Sequence, residues 1–273
     1  MDFDVVFLGR SPMLCRLSQG LAALFLLLTS LSILAQTLPA VGLIVPAYFD
    51  PSTDATDWNR MASAATQVPL IAVMNPNSGP GSAPDPSYTA AIMTLDGSGG
   101  STLGYVHTSY GYRKLSAVKQ EIARYFSWYP IDGIFVDEMA TSATQANLRY
   151  YTAIKNYIRQ LYPQAIIVAN PGTSFDAAFA QAGVADVFID EEDTQSNVNA
   201  TPQAAWTQSY PAALFGEIAV QSSGDAQEVT LLSSRNLAWV YSTTLPLNPN
   251  PYAALPSDFD QEVAALVTVN ASR

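Results

Sequence analysis

From residue 41 to the last residue of the chain, short apolar runs alternate with amphipathic stretches, and the alternation occurs eight times. A helix has one stripe to bury and a parallel strand has two faces, so this pattern is met by helices wrapped around a parallel sheet. The apolar runs fall at residues 41–49, 68–74, 103–108, 131–136, 165–169, 185–189, 213–220 and 237–242. Several are continuously apolar, as strands covered on both faces must be. Helix-like segments lie between and after them at 54–65, 88–95, 115–128, 145–161, 174–182, 202–210, 226–234 and 258–267. In the clearest, Leu115, Val118, Ile122, Tyr125 and Phe126 recur at helical spacing. Eight such units in about 230 residues are the usual size of a (β/α)8 barrel. The expected fold is therefore α/β, a single (β/α)8 TIM barrel, with an open doubly wound sheet as the alternative.

A different kind of segment precedes the barrel pattern. Residues 21–34 are predominantly apolar, with Arg10 and Arg16 before them and Ala35-Gln36 after. That is the layout of a signal peptide, and the run is shorter than the roughly 20 residues a bilayer span needs. The expected division is a signal peptide at 1–35, with an uncleaved anchor as the alternative, and a barrel domain at 36–273. The protein is thus expected to be secreted, and to meet a membrane only if the segment is retained. The sole cysteine, Cys15, falls in the leader, which leaves the barrel without disulfide or thiol chemistry.

Charge narrows the function. The chain carries 12 basic and 23 acidic residues, a net charge of -11, and no basic patch interleaved with aromatics. Such a surface repels phosphate backbones, so nucleic acid is excluded as the expected partner. A single histidine argues against zinc, while calcium held by carboxylates stays open. There is no glycine-rich phosphate loop and no Gly-x-Ser-x-Gly nucleophile elbow, and no cofactor is expected. Asn199-Ala200-Thr201 and Asn270-Ala271-Ser272 fit the glycosylation pattern. The barrel is expected to act as a monomer.

Active sites of such barrels lie where the strands run into their following loops. Here those positions are polar: Asp50, Asn75, His107 with Ser109 and Tyr110, Asp137 with Glu138, Asn170, Glu191 with Glu192, Glu217 and Thr243. Each alone reads as a cap or a solvated loop residue, above all Asn75 and Asn170, which precede prolines. Their convergence on one mouth is what points to chemistry. Glycoside hydrolysis needs two carboxyls in opposite protonation states, and crowding acids in a partly dry site provides that split. Asp137-Glu138 and Glu191-Glu192 are the two acidic pairs. Glu217 sits inside an apolar run, pointing either into the upper lumen or capping a shorter strand. Tyr48, Tyr110, Tyr112, Trp206, Tyr241 and Tyr252 are aromatics able to stack on sugar rings.

Six ordered motifs carry a family resemblance: Val45-Pro46-Ala47-Tyr48, Asn75-Pro76-Asn77-Ser78-Gly79-Pro80-Gly81, Gly104-Tyr105-Val106-His107-Thr108-Ser109-Tyr110-Gly111, Asp132-Gly133-Ile134-Phe135-Val136-Asp137-Glu138, Asn170-Pro171-Gly172, and Asn248-Pro249-Asn250-Pro251-Tyr252. From about residue 41 onward the chain resembles the spherulation-specific family four (spherulin four-like) proteins. The resemblance implies a (β/α)8 glycoside hydrolase acting on α-1,4-linked N-acetylgalactosamine in an exopolysaccharide. It places the family's acidic pair on Asp137 and Glu138. The third acid usually follows an aromatic residue; here the segment reads Phe188-Ile189-Asp190-Glu191-Glu192, and spacing from Asp186 favours Glu192.

The expected reading is a secreted polysaccharide hydrolase. Asp137 is its nucleophile or transition-state stabiliser, Glu192 its general acid/base, and Glu138 tunes them. Tyr48, Asn75, His107, Tyr110, Asn170, Glu191, Glu217 and Tyr241 are expected to contact substrate. A noncatalytic glycan-binding wall or matrix protein on the same barrel is the rival reading. A carboxylate-metal esterase or deacetylase is a third, and His107, without a histidine partner, argues against it.

Overall fold

The computed structural model describes residues 39–273, so the expected signal segment lies outside the described residues. Eight parallel strands close into one barrel in sequence order: β1 (Gly42–Ala47), β2 (Leu70–Met74), β3 (Ser101–His107), β4 (Gly133–Asp137), β5 (Ile166–Ala169), β6 (Val187–Thr194), β7 (Phe215–Val220) and β8 (Trp239–Thr243). β8 pairs back on β1 through Gly42↔Trp239 and Leu43↔Val240, which rules out the open sheet. The outer helices are α1 (Ala55–Ala65), α2 (Pro86–Gly97), α3 (Leu115–Trp128), α4 (Gln145–Leu161), α5 (Ala178–Gln181), α6 (Gln195–Ala200), α7 (Ala226–Ser233) and α8 (Phe259–Asn270).

Local chemistry sets several of these boundaries. Asp85 accepts from Ser87 N ahead of Pro86, Thr144 accepts from Asn147 N, and Asp225 accepts from Gln227 N and Glu228 N. Each side chain thereby satisfies a donor that the first helical turn leaves free. α3 buries the stripe Val118, Ile122 and Tyr125 against the sheet. Gly104 of β3 makes that contact possible, because a Cβ there would lie 2.6 Å from the Tyr125 ring. On the solvent-free side of α8, Glu262 is buried beside Ser242.

The barrel seam is fastened where its chain begins and ends. Val41 N donates to Asn270 Oδ1 (2.8 Å) and Asn270 Nδ2 donates to Val41 O (2.9 Å), while Arg273 Nη1 reaches Pro39 O at 2.9 Å.

Three expectations about elements change. The run at 174–182 shortens to the single turn α5. The segment at 202–210 is not an α-helix: prolines at 202 and 211 bracket it, and Ala205–Ser209 forms a 3-10 helix instead. There Trp206 packs edge-on against Phe175 and Phe215, so the spacing that suggested a helix is satisfied by a tighter turn. α6, absent from the sequence reading, precedes it. β6 also continues past residue 189 through Asp190 to Thr194, a run too charged to read as strand, because β7 pairs with it as far as Thr194↔Val220.

Candidate active site

One amide organises the mouth of the barrel. Asn170 follows β5, its own N–H continuing the ladder to Val136 O at 2.9 Å. From there its Nδ2 donates to Asp137 Oδ1 at 2.9 Å and to Glu192 Oε2 at 2.5 Å. Asp137, the last residue of β4, also accepts from the Tyr105 hydroxyl at 2.7 Å, and Glu192 accepts from the Tyr252 hydroxyl. Each acid is thus fixed by two donors, one of them shared.

The position of Glu192 depends on an irregularity in β6. Ile189 pairs with Gly216, but Glu191 pairs with Glu217 and Glu192 with Ile218, so Asp190 is an extra residue opposite β7. A bulge of one residue shifts the side-chain alternation by one. Without it Asp190 and Glu192 would share a face with Phe188. With it, Glu192 enters the lumen beside Asp137 and Asn170, while Asp190 and Glu191 turn outward with Glu217.

Burial shapes the electrostatics. The Asp137 carboxyl is pushed up from its ordinary value of 3.8 by loss of solvent, opposed by its hydrogen bonds from Tyr105, the backbone and Asn170. Glu192 is pushed up from 4.5, first by burial and then by the charge of Asp137, opposed by Tyr252 and Asn170. Around the acids, Tyr48 meets the Tyr105 ring at 5.5 Å and the Tyr252 ring at 5.4 Å, both edge-on. Burial and the neighbouring acids raise the phenols of Tyr48, Tyr105 and Tyr252, which keeps them as proton-bearing donors.

Glu138 occupies a separate place on the rim. Its backbone is left-handed (φ 50°), a conformation that costs a non-glycine residue of order 1–3 kcal/mol and persists only when its surroundings enforce it. Here the enforcement is explicit. Thr108 Oγ1 and Tyr110 N donate to Glu138 O at 2.7 Å each, and Ser109 N donates to Glu138 Oε2 at 3.1 Å. His107 Nδ1 lies 3.2 Å from the same Oε2. Arg113, paired with Glu121, anchors the loop by donating to His107 O at 3.0 Å. Tyr110 and Tyr112 stand exposed on this loop.

The remaining expected site residues divide. Tyr48, His107, Tyr110 and Asn170 are at the mouth with the three acids. Asn75 spends its Oδ1 on Gly79 N at 2.9 Å, closing the loop after β2. Asp50 likewise accepts from Ser52 N in its own turn. Tyr241 is fully buried against Tyr252, with no face left for substrate. Glu191 and Glu217 are not brought to the mouth: the bulge turns Glu191 outward, and Glu217, two residues after the outward Phe215 in the regular strand β7, lies on the same face, where Arg235 Nη1 holds it at 2.9 and 2.8 Å. Tyr105 and Tyr252, the donors to the acids, were not among the expected site residues. Tyr105 was legible in principle, lying two positions before His107 on the same strand face. Tyr252 reaches Glu192 from the loop before α8, which no local pattern signals.

A closed parallel (β/α)8 barrel with hydrogen-bonded carboxyls at its C-terminal mouth has them where barrels of this class place their active sites. The chain belongs to the spherulation-specific family 4, which matches residues 42–266. Spherulin-4 of Physarum polycephalum is 34% identical over 256 residues, spanning 89% of this chain and 75% of its own. The crystal structure of Aspergillus clavatus Sph3 in complex with GalNAc has a TM-score of 0.73 at 23% identity, covering 84% of this chain and 98% of that one. The alpha-L-fucosidase isoenzyme 2 from Paenibacillus thiaminolyticus shares the fold more loosely, with a TM-score of 0.57 at 9% identity over 86% of this chain and 49% of its own. Among the described residues no three His, Cys, Asp or Glu side chains form a metal centre, and no helix is long and apolar enough to cross a membrane.

Proposed function

We propose that this protein is a secreted glycoside hydrolase that cleaves a galactosamine-containing exopolysaccharide, α-1,4-linked N-acetylgalactosamine in the first instance. The observation that carries the reading is the Asn170 bridge between Asp137 and Glu192. Donor distances of 2.9 and 2.5 Å from one nitrogen keep their nearest oxygens within about 5.4 Å of each other. One amide nitrogen bonded to both draws the carboxyls together, in the sense a retaining hydrolase needs (about 5–5.5 Å) and away from the wider gap of about 6.5–9.5 Å by which inverting enzymes admit a water.

In this reading Asp137 is ionised and attacks the anomeric carbon while Glu192 gives its proton to the departing glycosidic oxygen. The anomeric C–O bond breaks as the bond to Asp137 forms. Glu192, now ionised, takes a proton from water, whose oxygen displaces Asp137 and completes the cycle. On an N-acetylated sugar the substrate's own acetamido oxygen can take the place of Asp137 as nucleophile, with Asp137 stabilising the charge that develops. The GalNAc bound in the Sph3 complex supports the choice of sugar. The test is incubation of residues 36–273 with a panel of galactosamine-containing and other polysaccharides, with mass analysis of released oligosaccharides. Release by the natural sequence and none by Asp137→Asn supports the reading. Tight binding without release by either would establish a glycan-binding protein instead.

A further inference from the structure

The bulge that sends Glu192 inward has an outward consequence. Asp190 and Glu191 of β6 and Glu217 of β7 crowd one wall behind the barrel, each less than a tenth exposed. Among the described residues one cation faces them, and it is committed: Arg235 Nη1 chelates Glu217, and its Nη2 donates to Val198 O at 2.7 Å. Asp190 Oδ2 accepts from Gln203 Nε2 at 3.1 Å, but Oδ1 is buried with no donor among the described residues. The Glu191 carboxylate has no hydrogen-bond donor from the described residues either. Both line a small cavity with Ser174, Phe175, Trp206 and Thr207, with room for about one water-sized group.

A buried carboxylate oxygen of Asp190 with no donor, and a Glu191 carboxylate with none from the described residues, beside a cavity of that size define what fits. Water satisfies hydrogen bonds but leaves the charge. A divalent metal needs converging ligands, and no such grouping occurs among the described residues. A water-sized cation whose N–H groups point tetrahedrally meets both needs. We propose that this cavity is a binding site for an ammonium group, either the ammonium ion or the head of a primary amine, with Asp190 and Glu191 as its acceptors.

The charge state of the nest agrees. With no cation bound, burial pushes Asp190 up to about 6 and Glu217 up to about 8, Glu217 also through the charge of Asp190 and against that of Arg235. Glu191 is raised by burial, Asp193 and Asp190. Protons and ammonium therefore compete for the same carboxylates, and binding should strengthen as pH rises.

The test is thermal unfolding of residues 36–273 in ammonium, methylammonium, potassium, sodium and tetramethylammonium chlorides at equal ionic strength. Ammonium at tenfold excess over its Kd should raise Tm above sodium by about 2–4 °C near pH 8, and by less near pH 5. An equal rise with methylammonium identifies an amine head as an acceptable occupant, and no rise confines the site to the free ion; tetramethylammonium should do nothing. Glu191→Gln and, independently, Asp190→Asn should abolish the increment. Isotope-labelled ammonium should show a bound resonance in the natural sequence and lose it in Glu191→Gln, which keeps the test valid if Asp190→Asn fails to fold. Equal Tm in all five salts, or equal stabilisation by potassium and ammonium, would overturn the proposal. None of these readouts depends on hydrolysis.

Discussion

Asp137 and Glu192, on strands that are not neighbours in the barrel, accept hydrogen bonds from the same nitrogen of Asn170. A donor shared between two carboxyls stabilises the ionised form of each, and here burial works against it on both. The pair is therefore tuned by a residue that bears no charge.

The first prediction separates adjacent acids. Glu192→Gln should lower kcat about 100-fold or more, the usual loss of a general acid/base, while Glu191→Gln stays within about threefold of the natural sequence. Both variants nearly conserve volume. Oligosaccharide release rates for the two, measured side by side, decide it, and the opposite ranking would show that the bulge is misplaced.

The second concerns pH. Asp137 must be ionised to act and its folded value lies above 3.8, so activity should rise along an acid limb displaced upward from an ordinary aspartate. Asn170→Ala removes a donor that favours ionisation of both acids, so the acid and basic limbs of the profile should both move to higher pH. Tyr252→Phe removes a donor from Glu192 alone and should move only the basic limb, also upward. Profiles of kcat/KM against pH for the three proteins test this; a loss of rate with unchanged limbs would assign Asn170 a purely geometric role.

The third concerns stability. Glu262 is buried on α8, its carboxyl pushed well above 4.5 by burial and, more weakly, by Asp258 and Glu228, against the polar groups of Ser242. A raised folded value means that its contribution is complete below about pH 4.5 and is lost as pH climbs toward the folded value. Glu262→Gln supplies a permanently neutral side chain of the same size. It should raise Tm near pH 8 and make little difference near pH 4, as read by thermal melts at the two pH values.

The fourth uses the seam. Asn270→Ala removes both hydrogen bonds to Val41 and should cost about 1–3 kcal/mol, as loss of a well-made polar pair does. Because Nδ2 is the atom a glycan would occupy, a glycosylating host should modify Asn270 little in the folded protein. Mass mapping of glycopeptides checks the second point, and denaturant unfolding the first.

The barrel was legible because its strands are buried on both faces, and runs such as Leu70–Met74 have no other use for their composition. Asp137, Glu138 and Asn170 were legible for a related reason, each marking where an apolar strand stops. Glu191 departs from expectation because one extra residue in β6 reverses the side-chain alternation after Ile189, whereas Glu217, open between the lumen and a strand cap in the sequence, keeps the regular alternation of β7 and lies on its outer face. Asp190-Glu191-Glu192-Asp193 is uniformly acidic, so nothing in residue type marks the bulge; only pairing with β7 does. The donors to the two acids illustrate the same limit. Tyr105 lies within reach of a periodicity argument, but Tyr252 meets Glu192 only through closure of the eighth unit onto the sixth.

The reciprocal bonds between Val41 and Asn270, with Arg273 on Pro39, bring the two ends of the barrel sequence together beneath the sheet. Topologically the domain is a nicked ring. A short peptide could seal the nick at 39 and 273, and a new one opened at the exposed residues 162–164, between α4 and β5, would leave every strand pairing in place. Asp137, Asn170 and Glu192 would then be assembled from a chain that starts at its old midpoint, making the mouth a property of the ring and not of where its sequence begins.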